Sequence, residues 1–110
     1  RNDETGGMTC RGNTIYVHVW AWPAHRVCLP EINARILSVY SPTARDLHHE
    51  MVDGRLCFSV GEQDRLSLDT LVVLTLDRPA EAVRNNDFPW RLQQTGKGHA
   101  ALIVEDFLGQ

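Results

Sequence analysis

Long apolar runs are missing from this sequence. None approaches the roughly 18 to 20 consecutive apolar residues of a membrane-spanning helix, so we expect no membrane partner. The first residues, Arg1 to Gly7, lack the apolar centre of a signal peptide, and the chain does not begin with methionine. We interpret it as a segment of a longer protein, and whether that parent protein is exported stays open.

An excess of charge of one sign is missing too. The formal net charge of the 110 residues is -3, which provides no field that would attract nucleic acid, so we expect no nucleic-acid partner. The 43% hydrophobic and 23% charged residues are typical of a globular protein. A chain of this length predicts one domain that buries about two-thirds of its unfolded surface.

Cysteines are few and follow no motif. Cys10, Cys28 and Cys57 are odd in number and unequally spaced, which matches neither a disulfide framework nor a C-x-x-C metal pair. This favours small buried side chains. The alternative is one disulfide plus one free thiol, which requires an exported parent protein.

The strongest pattern present is an alternation of period two, which is typical of β-strands. Gly12 and Asn13 suit a hairpin turn, and Pro23 ends the pattern, so residues 8–22 are predicted to form a β-hairpin. Its second strand has two different faces. One carries Ile15, Val17, Val19 and Ala21, and the other carries Tyr16, His18, Trp20 and Trp22.

Further strands follow at short intervals. Asp53-Gly54 predicts a type I′ turn between strands at 47–52 and 55–60. Residues 26–29, 33–40 and 71–76 are also predicted strands, although 31–37 is compatible with a helix, and the run 71–76 is apolar on both faces. The pattern predicts an all-β fold, an antiparallel two-sheet β-sandwich, Greek-key-like, with about seven to eight strands over residues 1–83. Residues 84–110 are predicted to be a linker-like extension that packs on the sandwich or adds a strand to it, with 100–104 as the candidate strand.

The run from Thr9 to Pro23 resembles the opening of the C-terminal β-sandwich of family 29 glycoside hydrolases, the α-L-fucosidases. It contains the Gly-Asn turn, the start Thr14-Ile15-Tyr16 of a strand and the end Trp22-Pro23 that are typical of that domain. The Asp53-Gly54 hairpin and the Asp69-Thr70 entry to the later strand follow in the same order. The resemblance covers residues 9–76 and does not extend to 85–110.

This resemblance implies a non-catalytic accessory domain. In that family two catalytic carboxylates, an Asp nucleophile and an acid/base, belong to a (β/α)8 barrel that precedes the sandwich. None of those motifs is in this chain, so we assign it no catalytic residue and no cofactor, and we expect it not to be an enzyme alone. The resemblance implies the upstream barrel as partner.

The candidate site is the aromatic face Tyr16, His18, Trp20 and Trp22. Such a face has three interpretations: a part of the core or a surface covered by the tail from Phe88 to Trp90, an interface with the barrel, or a platform on which sugar rings stack, as in a carbohydrate-binding module. No metal site is predicted, because His48 and His49 are strand neighbours that point to opposite faces, and the other histidines show no convergent spacing. Acidic residues such as Glu62, Asp64 and Asp69 fall in polar segments and are expected to be solvated.

Overall fold

The computed structural model describes residues 4–22, 25–66, 69–83, 91–94 and 100–103. These residues form nine strands in two antiparallel sheets, which confirms the predicted all-β sandwich. The strands are β1 (Glu4–Arg11), β2 (Thr14–Val19), β3 (Val27–Cys28), β4 (Ile36–Tyr40), β5 (Leu47–Val52), β6 (Arg55–Val60), β7 (Thr70–Leu76), β8 (Arg91–Gln94) and β9 (Ala100–Ile103). The larger sheet has the order β4-β7-β2-β1-β8-β9, and the smaller sheet has the order β3-β6-β5.

Both predicted hairpin turns are confirmed. Gly12 joins β1 to β2 with a φ of 59°, as glycine does at the first central position of a type II′ turn. Asp53 and Gly54 join β5 to β6 with φ values of 52° and 80°, and the flanking Val52 and Arg55 pair directly, as a type I′ turn requires. Local turn chemistry therefore sets the register of both hairpins.

The core lies between the two sheets and follows the alternation of the strands. Every second residue of β2 is completely buried, and so is every second residue of β7. The smaller sheet contributes Phe58, Val27 and Leu56 to the same cluster. Each large apolar side chain removed from water in this way contributes about 1.5–3 kcal/mol. The core residues of β2 and β7 are Ile15, Val17, Val19, Val72, Leu74 and Leu76.

Several strand bounds differ from the prediction. The strand β2 ends at Val19 and does not continue to Trp22, because the backbone amides of Trp20 and Ala21 both donate to the carbonyl oxygen of Thr5, at 2.9 and 3.1 Å, and the ladder stops there. The helical alternative for 31–37 is wrong, since β4 begins at Ile36 and pairs with β7. Tertiary pairing overrides a weak local helical propensity here.

The expectation that the cysteines are simple buried hydrophobes is wrong for two of them. Cys28 and Cys57 form a disulfide and stand directly opposite each other on β3 and β6. Cys10, on β1, is partly buried and packs against the core cluster. The pairing could not be predicted from spacing, because it depends on which strands become neighbours.

The C-terminal extension contributes two strands to the larger sheet. β8 pairs with β1, and β9 pairs with β8 at the edge, so the strand predicted at 100–104 is present over Ala100–Ile103. β8 falls where a linker was expected. Residues 84–90, 95–99 and 104–110 lie outside the described residues, as do the predicted strand end at Pro23 and the histidine His99. Among the residues described, the only helices are two three-residue 3-10 helices, Asp64–Leu66 and Ala80–Ala82, and neither could cross a membrane.

Candidate functional site

Tyr16 belongs to a row of side chains on the outer face of the larger sheet. It stands directly opposite Val73 of β7, and Val73 stands opposite Tyr40 of β4. Directly opposed residues of neighbouring strands share one face of a sheet, so these three side chains lie side by side. We call them the tyrosine row. Tyr40 is 59% exposed, whereas Tyr16 and Val73 are half-buried.

His18 lies on the same outer face, two residues from Tyr16 along β2. Its Nδ1 is 3.2 Å from Oδ2 of Asp69, which precedes β7, and its cross-strand neighbour is Leu71. The two side chains are 34% and 51% exposed, and a contact between groups at that exposure contributes at most about 1 kcal/mol. The pair therefore orients the imidazole more than it stabilises the fold.

Trp20 and Trp22 lie beyond the end of β2, and the structure places them differently. Trp20 is 42% exposed. Trp22 is partly buried against the core, with its ring edge-on to Phe58 at a centroid distance of 6.1 Å and an angle of 90°. Its indole Nε1 is buried with no hydrogen-bond partner in the described part of the chain. Trp22 thus packs into the core, apart from the surface that Tyr16 and His18 share.

The outer face of the larger sheet is partly apolar. The strand β7 places Leu71, Val73 and Thr75 there, all half-buried, where a sheet with one solvated face normally carries polar residues. The run 71–76 is thus apolar on both faces, as the sequence indicates, and its outer face is only half-buried. Tyr40 was missed by the sequence analysis, because its place beside Val73 depends on the pairing of two strands about thirty residues apart.

A shallow pocket of about 160 Å³ opens on the smaller sheet. The guanidinium Nη1 of Arg26 lies 3.5 Å from Oε2 of Glu50, and Nε2 of His48 lies 2.7 Å from Oδ1 of Asp46. His48 and His49 were predicted to point to opposite faces of their strand, and their cross-strand partners agree. His48 stands opposite Ser59 on the outer face, and His49 stands opposite the core residue Phe58. The pocket is lined by Arg26, His48, His49, Glu50, Cys57, Phe58 and Ser59.

A second cleft lies between the two edge strands β4 and β5. It is mainly apolar, and it exposes Leu37 and Met51 by 57% and 56%. The cleft separates the open edge of the larger sheet from the open edge of the smaller one. Its lining residues are Ile36, Leu37, Ser38, Val39, His49, Met51 and Leu56.

No group of three or more His, Cys, Asp or Glu side chains within the described ranges is placed to hold a metal ion. The hydrogen bond from the side chain of Arg78, followed by that from the backbone amide of Arg35, lowers the pKa of Asp77 below its ordinary value of 3.8. Asp77 is an exposed residue beside the start of β4, where it ties two loops together.

Of the predicted site residues, the structure therefore brings Tyr16 and His18 together on one face, leaves Trp20 exposed beyond the strand end, and places Trp22 against the core. The outer face of the larger sheet, with the tyrosine row, is the best candidate surface. Comparison with protein-family models, with curated proteins and with solved structures gave no match for this chain.

Proposed function

We propose that this chain is a non-catalytic accessory β-sandwich of an α-L-fucosidase-like glycoside hydrolase, which supports an upstream catalytic (β/α)8 barrel. The observation that supports this proposal is the partly apolar outer face of the larger sheet. Antiparallel sheets with apolar residues on both faces are usually covered on both sides, and among the described residues the sandwich covers only the core side of this sheet. An apolar face of this kind is typical of an interface with another domain.

The tyrosine row is the centre of the proposed interface. Aromatic residues are enriched in the buried centres of interfaces, and tyrosine combines a large apolar ring with a hydroxyl that can hydrogen-bond at the rim. Tyr40 offers the largest exposed area in the row, and Trp20 lies beyond the end of the neighbouring strand. The resemblance over residues 9–76 points to the barrel as the partner. The outer face of the larger sheet is the surface proposed to contact it.

The coding region upstream of Arg1 provides the first test. We expect a few hundred residues of alternating strands and helices that carry an Asp nucleophile and an acid/base, and a short leader alone would refute the proposal. The second test is co-purification of that barrel with this domain, expressed as separate chains. Val73→Asp places a charge in the tyrosine row and is expected to abolish co-purification.

Met51→Asp is the matched control for that experiment, because it also replaces an apolar side chain by a carboxylate. Met51 is 56% exposed and lies at the β4–β5 cleft, away from the tyrosine row. Both variants should keep the far-ultraviolet circular dichroism of the native domain. Equal loss of co-purification in both would contradict an interface centred on the tyrosine row.

A carbohydrate-binding module is the second candidate, and the spacing of the two tyrosines favours it. Tyr16 and Tyr40 lie on one face with one strand between them, so the two strands that carry them are about 10 Å apart, a spacing that suits two linked sugar units. Titration with fucosylated and non-fucosylated oligosaccharides tests this candidate by tryptophan fluorescence. A saturable, sugar-specific change that Trp20→Ala and Tyr40→Ala abolish would favour the module, and a flat response up to millimolar sugar would favour the interface.

A further inference from the structure

The disulfide lies beneath the pocket of the smaller sheet. Cys57 points to the outer face of β6, because its neighbours Leu56 and Phe58 fill the core on the opposite face. A residue on an outer face is normally accessible, yet Cys57 is only 3% exposed and Cys28 only 5%. Cys57 lines the pocket, and Cys28 does not. A small molecule that enters this pocket therefore meets Cys57 before Cys28.

The ion pair of Arg26 and Glu50 lines the same pocket as Cys57. Arg26 immediately precedes β3, and Glu50 stands directly opposite Cys57 on β5. Because β6 lies between β3 and β5, the two side chains must reach across β6 to approach within 3.5 Å. They are 39% and 67% exposed, so their attraction is worth about 0.2–1 kcal/mol and they separate readily.

We propose that Cys57 Sγ is a thiol-exchange site, which a low-molecular-weight thiol reaches through this pocket when the ion pair of Arg26 and Glu50 opens. The proposal goes beyond the accessory function and does not depend on it. It rests on the place of the disulfide in the sheet, on the pocket, and on the charged pair that lines the pocket.

The exchange takes place in two balanced steps. The thiolate sulfur of the incoming molecule attacks Cys57 Sγ, the bond to Cys28 breaks, and Cys28 leaves as a thiolate that takes a proton from solvent. Cys57 is then held in a mixed disulfide. A second thiolate attacks the sulfur of the bound small molecule, which leaves as its own disulfide and releases Cys57 as a thiolate. Two small thiols are oxidised for each protein disulfide that is reduced.

The charges around the pocket determine which thiols react fastest. The attacking group is an anion, so the carboxylate of Glu50 repels it and the guanidinium of Arg26 attracts it. A thiol that carries additional negative charge, such as glutathione, should respond more strongly to the charge of Glu50 than an uncharged thiol such as 2-mercaptoethanol does.

The fold is expected to survive the opening of the bond. The segment around β3 keeps the backbone hydrogen bond from Leu29 to Leu56, at 2.8 Å. The side chain of Arg55 also donates to the carbonyl oxygens of Leu29 and Cys28, at 2.7 and 3.1 Å. These bonds hold β3 against β6 after reduction, so re-oxidation can restore the same disulfide.

The test measures how fast the native chain is reduced by each thiol. The reaction is stopped with acid at intervals, the thiols are alkylated, and mass spectrometry follows the loss of the disulfide and locates the small thiol in the trapped intermediate. Glu50→Gln is expected to accelerate reduction by glutathione about two- to fivefold, the equivalent of an exposed ion pair, with a smaller gain for 2-mercaptoethanol. Glu62→Gln removes an exposed carboxylate away from this pocket and should leave both rates unchanged.

Three results would overturn the proposal. The first is a rate that does not depend on thiol concentration, because reduction would then wait for global unfolding. The second is equal behaviour of the Glu50→Gln and Glu62→Gln variants with glutathione. The third is a trapped glutathione on Cys28 in place of Cys57.

Discussion

Replacement of Trp22 by alanine tests whether this residue belongs to the core or to the surface. Its ring packs edge-on against Phe58, which is 1% exposed. Loss of a fully buried tryptophan costs about 3–5 kcal/mol. Because Trp22 is only partly buried, we expect Trp22→Ala to cost about 2–4 kcal/mol. We expect Trp20→Ala to cost less than about 1 kcal/mol, since Trp20 is 42% exposed.

Urea denaturation without reductant, followed by far-ultraviolet circular dichroism, measures both variants with the disulfide intact. A domain of this size has a stability of about 5–15 kcal/mol, so a loss of 2–4 kcal/mol is a large part of the total. With an m-value of about 2 kcal/mol per molar urea, the midpoint of Trp22→Ala should fall by about 1–2 M. The midpoint of Trp20→Ala should shift by a few tenths of a molar.

A double-mutant cycle isolates the contact with Phe58. Trp22→Leu, Phe58→Leu and the combined variant should show a coupling free energy of about 0.5–1.5 kcal/mol, as expected for an edge-on aromatic pair. Trp20→Leu with Phe58→Leu is the control pair and should be additive. A coupling near zero for Trp22, or a greater loss of stability in Trp20→Ala than in Trp22→Ala, would refute the assignment of Trp22 to the core.

Three other predictions follow from local features. Gly54→Ala forces a β-carbon onto a φ of 80° and should cost about 1 kcal/mol or more, measured as a lower thermal midpoint, whereas an unchanged midpoint would argue against the type I′ turn. Replacement of both Cys28 and Cys57 by serine opens a loop of 29 residues and should lower the free energy of unfolding by about 3–4 kcal/mol, measured by urea denaturation. A loss smaller than about 1 kcal/mol would contradict a stabilising role of the disulfide. The pKa of Asp77 is lowered in the folded state, so its contribution to stability is present above pH 3.8 and is lost as the pH falls through the folded value. Asp77→Asn should therefore be less stable than the native chain at pH 6, and the difference in stability should shrink below pH 4. A difference that grows on acidification would mean that folding raises the pKa of Asp77, contrary to this prediction.

The fold class and most strands could be predicted because their signals are local. Alternation along residues 14–19 separates a buried face from an outer one, the apolar run 71–76 marks a further strand, and turn residues at Gly12 and Asp53-Gly54 mark the reversals. The strand Arg91–Gln94 was missed, because four residues without a clear period carry little information, and it forms by pairing with the edge presented by β1.

The candidate surface could be predicted only in part. Tyr16 and His18 were placed together correctly, because a strand of known bounds puts residues two apart on one face. Trp22 followed the same alternation in the sequence, yet it lies beyond the strand end, where the rule no longer applies. Tyr40 and the ion pair of Arg26 and Glu50 come from separate segments, and no local pattern connects them.

The amino-acid sequence by itself determined the period of the strands, the two hairpin turns and the core face of β2, since these depend on side chains and dihedral preferences within a few residues. The tertiary structure decided which strands became neighbours. That choice pairs Cys28 with Cys57, sets Tyr40 beside Val73 and brings Arg26 to Glu50. The physical reason is that contacts between distant segments depend on how two sheets bury their common core, and many pairings share the same local pattern.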